Sequence, residues 1–299
     1  MSGRGFTLVE LLVAMVLALA VGGLVHRQLV YGQRLTRAQT QRMAMQDNVR
    51  VAAQVLAAEL GAAGLDEITP VAAAALGVPP EIRPDLRAIA PGSVSYLAAR
   101  GDGTVCRIAP AEVVVESSSW SPQRAPRATD SLLVFAEGDP ATAGDDVWLH
   151  LGIVSSGSAA CPSGSPGSAV QIVVPPPLDP AVLARVTAGS PARLAEAMEI
   201  RYYRSGSRAW LGMRSVATGE VIQPVAGPLA DSVAGPRGLT LTWLNAAGDP
   251  TADPAAVRAV DVALVGVSEL PIHGRSMARA EVDSFALHTR ITLRNAVSR

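Results

Sequence analysis

The sequence predicts an α+β fold, a long N-terminal α-helix packed on an antiparallel β-sheet head, and three observations carry that prediction. Phe6–Val25 is one dense apolar run. No proline follows it until Pro70, so a single helix can continue well past the run. From Ser131 onward, apolar or alternating stretches recur between Gly, Pro, Asp and Ser, the signature of strands.

The composition is that of an apolar, charge-poor chain. Of 299 residues, 49% are hydrophobic and 17% charged, against about 25% charged in average chains. Mean hydropathy is +0.28. The 25 basic residues are all arginine and face 26 acidic ones, a net charge of −1. That balance argues against a nucleic-acid partner held by bulk charge. Without lysine there is no Schiff-base chemistry and no P-loop or kinase-type lysine.

Within Phe6–Val25, 16 of 20 residues are apolar, the exceptions being Thr7, Glu10, Gly22 and Gly23. Twenty helical residues rise about 30 Å, the thickness of a bilayer's hydrocarbon core. Three readings compete. A cleaved signal peptide would use Arg4 as its basic region, Leu11–Val21 as its apolar region and Ala18-Leu19-Ala20 as its cleavage site. A plain single-pass anchor is the second, and a prepilin-like N-terminus the third. Glu10 discriminates among them. A carboxylate inside an apolar span costs roughly 2.5–3.5 kcal/mol on insertion scales, so a segment that only inserts should lack it.

Gly5-Phe6-Thr7-Leu8-Val9-Glu10, followed by Leu11-Leu12-Val13-Ala14, resembles the processing signal of type IV pilins and type II secretion pseudopilins. The resemblance implies cleavage by a prepilin peptidase after Gly5 and N-methylation of the new terminus, Phe6. It also implies that Glu10 neutralises the N-terminal amine of a neighbouring subunit during assembly. The physics agrees. Glycine leaves the scissile bond accessible, and a buried carboxylate needs a partner charge that can also set register. One observation runs the other way. Arg27, Arg34 and Arg37 follow the span against Arg4 before it, which the positive-inside rule alone would orient oppositely.

Beyond Val25, Leu35, Ala38, Met45, Val49, Ala52 or Ala53, Leu56 and Leu60 recur at spacings of three and four, one apolar stripe of an amphipathic helix. Gly61 and Gly64 mark its end. Arg42 falls at a core position of the short heptad run, which favours packing on the protein's own sheet over a coiled coil. The expected organisation is a leader at 1–5, a transmembrane half-helix at 6–25, an amphipathic half at 26–65 and a β-rich extracytoplasmic head at 66–299.

In the head, 66–130 yields little beyond a short Ala-rich helix candidate at Val71–Leu76. Strands are expected at Ser131–Glu137, Val147–Val154 and Ala169–Pro175, with Ser155–Ser168 as a loop. Met198–Arg204 and Arg208–Arg214 read as a hairpin closed by Ser205-Gly206-Ser207. Leu239, Leu241 and Trp243 alternate with Thr240, Thr242 and Leu244, and Ala259–Val267 forms the next strand. In the last strand Phe285, Leu287, Thr289, Ile291 and Leu293 share one face, and His288, Arg290, Thr292 and Arg294 the other. Between Glu199 and Ala296, the tyrosine-containing hairpin, Trp-Leu-Asn-Ala-Ala-Gly-Asp turn, Val-Arg-Ala-Val-Asp-Val-Ala-Leu-Val strand and closing Thr-Leu-Arg-Asn-Ala resemble PilW-type minor pilins. GspJ-type pseudopilins are similar but usually shorter. This second resemblance implies a tip-associated subunit that helps initiate a filament.

Cys106 and Cys161 are the only cysteines. Outside the cytoplasm an even pair favours a disulfide, with two free thiols as the alternative. His26, His150, His273 and His288 are scattered without metal-ligand spacing. Asp139, Asp145, Asp146, Asp249 and Asp253 lie in Gly/Pro loops where calcium is conceivable, but solvated loop acids fit better because no EF-hand spacing is present. Of the four tryptophans, Trp120, Trp148, Trp210 and Trp243, the second and fourth fall within strand patterns and read as core. No catalytic or nucleotide motif occurs, and neither a metal nor a cofactor is expected.

The functional expectation is a structural minor pilin of a type IV pilus, not an enzyme. Its partners would be prepilin peptidase, other pilin subunits, an inner-membrane assembly platform and membrane lipid. It would sit in the inner membrane by one span, head outside, and then on the pilus surface. The alternatives are a type II secretion pseudopilin and a secreted or anchored enzyme with an ordinary signal, whose mature end would be Val21.

Overall fold

The computed structural model describes residues 7–63, 85–121, 124–139, 141, 146–162, 164, 169–174, 180–231, 237–273 and 280–293. The architecture is α+β, one long helix and a large antiparallel sheet, as in a pilin-like fold. Gly5, Phe6, the helix candidate at Val71–Leu76, Asp145 and Arg294 lie outside the described residues.

Helix α1 runs unbroken over Leu8–Gly61, 54 residues or about 80 Å at 1.5 Å per residue. Neither Gly22 nor Gly23 interrupts it. Its buried residues begin only at Met45 and continue through Val49, Ala52, Leu56 and Leu60. Leu35, assigned to the same stripe, is exposed. The sheet starts beneath Met45 and Val49, so the amphipathic pattern extends further N-terminally than the surface available to cover it.

The strands are β1 (Leu86–Ala90), β2 (Ser93–Ala109), β3 (Glu112–Glu116), β4 (Ser131–Ala136), β5 (Val147–Gly152), β6 (Ser155–Ala159), β7 (Ala169–Val173), β8 (Pro191–Ser205), β9 (Arg208–Ser215), β10 (Gln223–Leu229), β11 (Leu239–Leu244), β12 (Ala259–Val267), β13 (Ile272–His273), β14 (Ala280–Glu281) and β15 (Ser284–Thr292). The long strands β2 and β8 pair antiparallel from Ser93↔Arg201 to Thr104↔Pro191 and form a spine. On one half of the spine β9, β10, β12, β11 and β15 follow outward from β8, and α1 covers this lobe. On the other half β3, β7 and β6 follow from β2, while β4 and β5 branch from β8.

Each lobe has its own core. The first joins Val49, Leu56 and Leu60 of the helix to Tyr96, Ile200, Leu211 and Leu264 of the sheet. The second gathers Val113, Leu132, Val134, Ile172 and Leu194 without the helix. Full burial of each large aliphatic helix residue contributes roughly 1.5–3 kcal/mol, as an upper bound. The helix lies close because Gly266 of β12 has no side chain. A Cβ there would sit 2.5 Å from Val49 Cγ2.

Several expectations change. Ser155–Ser168 is not wholly a loop, because Ser155–Ala159 pairs with β7 as an edge strand. Its Ser-Ser-Gly-Ser-Ala sequence is exposed on both faces and carries no burial pattern to read. The hairpin loop after β8 has two residues, since Ser205 pairs with Arg208. Gly206 alone takes a positive φ of 63° there, the pattern of a type II′ turn. Trp148 is only partly buried, packing edge-on to Phe135 at 5.6 Å, whereas Trp243 is core and donates Nε1–H to Ala90 O at 3.1 Å. The alternation of the last strand holds from Phe285 to Ile291.

Candidate functional site

The sequence places its chemistry at the start of the helix. Thr7 is the N-cap, extended at φ −78° and ψ 150°. Glu10, three residues on, completes a capping box. Its Oε2 accepts Thr7 N–H at 3.0 Å and the Thr7 hydroxyl at 3.0 Å, while Glu10 N–H donates back to Thr7 Oγ1 at 3.3 Å. The carboxylate therefore caps the Thr7 backbone at the start of the helix.

Around this carboxylate the helix is bare. Leu8, Leu11, Leu12, Met15, Leu19 and Leu24 are each more than half exposed. The helix is long and apolar enough to cross a membrane, and none of its apolar window is buried inside the protein. Glu10 is the single charge between Leu8 and His26.

At its other end the helix is locked to the head by a buried polar chain that sequence reasoning missed. Glu59 accepts Arg100 Nη1–H at 3.2 Å and the Tyr96 hydroxyl at 2.6 Å. Arg100 Nε–H donates to Glu196 at 3.2 Å, and Glu196 meets Arg124 Nη2 at 3.0 Å. Arg124 then forks onto Asp130 at 2.6 and 2.7 Å. Burial lowers the Arg100 pKa, but Glu59, Tyr96 and Glu196 together outweigh it, and the guanidinium ends above its ordinary value. Burial, with Glu59 beside it, holds the Tyr96 phenol well above the usual tyrosine range. The Asp130 hydrogen bonds raise Arg124 further. The last turn of α1 contains no basic residue, and the cation that meets its Glu59 comes from Arg100 of β2. The available signal was Arg100 itself, ending the apolar run Tyr96-Leu97-Ala98-Ala99.

Two further ties hold the middle of the helix. Arg42, assigned to a core position, is exposed and pairs with Asp283 at 2.7 Å. Asn48 Nδ2–H donates to Gly227 O at 2.7 Å.

The remaining candidates resolve locally. Cys106 of β2 and Cys161 after β6 form a disulfide with their Cα atoms 5.6 Å apart. Asp139 accepts Ala141 N–H, Asp146 accepts Gly138 N–H, and Asp253 caps a short 3-10 turn at Pro254–Ala256. Asp139 and Asp253 are exposed and Asp146 is half-buried. Among the described residues, no group of three potential metal ligands converges. His26 and His288 are exposed.

Residues 1–25 match the family model described as the prokaryotic N-terminal methylation motif. The chain carries a prepilin-type N-terminus. The motif supports a type IV pilin-like or pseudopilin-like, membrane-anchored protein with a globular head, and implies processing by prepilin peptidase. No curated protein and no solved structure matches the chain.

Proposed function

We propose that this chain is a structural, non-catalytic minor subunit of a type IV pilus, acting near the tip to help start assembly. Prepilin peptidase cleaves after Gly5, Phe6 becomes the N-methylated mature terminus, and Glu10 pairs with the amine of an adjacent subunit. Before assembly the helix stands in the inner membrane with the head outside. Other minor and major pilins and the assembly platform are its partners.

The observation that carries this reading is the bare helix with one capped carboxylate at its start, inside the matched motif. An ordinary anchor gains nothing from that carboxylate, whereas a filament subunit gains register from a buried ion pair. The PilW-like pattern between Glu199 and Ala296 supports the minor, initiating role.

Mass spectrometry of the membrane-extracted protein tests the processing. A mature end at N-methyl-Phe6 is expected, and an end at Val21 would refute it. Glu10→Leu should insert normally and fail to enter filaments. Unimpaired incorporation of that variant would overturn the assembly role.

A further inference from the structure

Charge on the helix is segregated. From Leu11 to Gln46 the sequence holds four arginines, Arg27, Arg34, Arg37 and Arg42, and no acid. Arg42 has Asp283. Further along, Arg100, Arg107, Arg124, Arg193, Arg214 and Arg290 each hold a carboxylate within 4 Å. Arg27, Arg34 and Arg37 are exposed, and among the described residues no carboxylate pairs with them.

Their position relative to the span is specific. Arg27 lies about 3 Å beyond Val25 along the helix axis, Arg34 about 14 Å and Arg37 about 18 Å. Headgroups occupy roughly 5–8 Å on each side of the hydrocarbon core. Helical side chains lean toward the helix N-terminus, which on this helix is toward the bilayer. Arg27 therefore sits at headgroup level and the long side chain of Arg34 reaches back to the outer edge of the headgroups, while Arg37 stays on their aqueous side and adds its charge within a Debye length. Arg27, Tyr31 and Arg34 are spaced four and three apart and share one face. Tyr31 is 56% exposed, and an aromatic with a polar tip suits the membrane interface.

We propose that Arg27, Tyr31 and Arg34, with Arg37 beside them, form a collar that binds the phosphate groups of anionic phospholipids on the head's side of the membrane. The inference rests on the reading that Leu8–Val25 spans the bilayer. A guanidinium fork matches phosphate oxygens two at a time. A second copy of the same helix segment cannot neutralise the collar, because it brings the same arginines and no acid between Leu11 and Gln46. The collar also gives the arginines behind the span a local partner, which answers the orientation that charge counting alone would assign.

The test uses the full-length chain reconstituted in vesicles of phosphatidylcholine containing either spin-labelled phosphatidylglycerol or spin-labelled phosphatidylcholine. The fraction of motionally restricted label reports the lipid held at the protein. Phosphatidylglycerol should be preferred about fivefold per engaged arginine, and salt should weaken the preference. The triple variant Arg27→Gln/Arg34→Gln/Arg37→Gln keeps helix propensity and should lose the preference, while the triple Arg→Lys variant should retain most of it. No preference in the wild type, or one that survives in the Gln variant, overturns the proposal. Loss of filament incorporation with lipid preference intact would assign the arginines to an acidic protein face and overturn it too. A chain left uncleaved at Gly5 yet selective for phosphatidylglycerol would defeat the pilin reading and support the collar.

Discussion

Glu59, in the last turn of the helix, meets Arg100, in the middle of the spine strand β2, at 3.2 Å, with the two side chains only 18% and 10% exposed. The pair couples the membrane-facing element to the strand both lobes share. Arg100 also serves Glu196, so its removal leaves two carboxylates short of a cation. Breaking a buried pair costs about 3–5 kcal/mol. Arg100→Met should fall at the low end, about 3 kcal/mol, because Glu196 keeps Arg124 and Glu59 keeps some water. Glu59→Gln should cost less, since the amide oxygen can still accept the Tyr96 hydroxyl. Denaturant unfolding of the detergent-solubilised chain measures both losses. Equal losses would show that the pair does not act as drawn.

Gly266 sets how closely the helix approaches the sheet. A Cβ there would meet Val49 Cγ2 at 2.5 Å and Met45 Cγ at 3.3 Å. Overpacking of this kind typically costs 1–3 kcal/mol. Gly266→Ala should destabilise by about that amount, and Val49→Ala in the same chain should restore part of it by clearing the contact. If the double variant is no better than the sum of the singles, the helix is not resting on this glycine.

What was legible in the sequence follows from what each residue packs against. Ala259–Val267 and Leu239–Leu244 were readable because their alternation matches a sheet with one face on the helix-side core. The helix was readable because nothing breaks it. The strands of 85–116 escaped, although Val113-Val114-Val115 is a β-branched run, because prolines and glycines around them suggested irregular chain. β10 escaped because Pro224 and Pro228 argue against a strand, and its pairing with β9 is irregular around Ala226. The Glu59–Arg100 chain was not legible, because it joins residues 41 apart through a tertiary fold. At the N-terminus the reverse held. Glu10 stood out because it is local, a single acid in an apolar run.

The disulfide tethers the end of β6 to β2 across a separation of 55 residues. A loop of that size corresponds to about 4 kcal/mol in the chain-entropy model. The helix-free lobe should therefore loosen first on reduction. Cys106→Ser/Cys161→Ser should lower unfolding stability by up to that amount, and amide exchange should rise in β3, β6 and β7 before β12 and β15. Uniform loss across both lobes would contradict the two-core description. Alkylation without reductant should leave the wild-type mass unchanged.

Tyr202 links the spine to the chain after β10, its one hydroxyl proton shared between Ala230 O at 2.9 Å and Asp231 Oδ1 at 3.2 Å. Burial, followed by Asp231, pushes its phenol up to about 12 from 10.0. A folded-state pKa above the unfolded value means that the native state holds the proton longer. The contribution is complete below pH 10 and is lost as pH rises from there through 12. Tyr96 adds to the same trend, since burial and Glu59 hold its phenol well above the usual range. Stability of the head should therefore decline steeply on the alkaline side. Tyrosinate absorbance should show Tyr96 and Tyr202 ionising late, with unfolding. Tyr202→Phe should remove one late-ionising group and flatten the decline between pH 10 and 12. An unchanged slope in that variant would mean that the Asp231 and Ala230 bonds do not hold the proton in the folded chain.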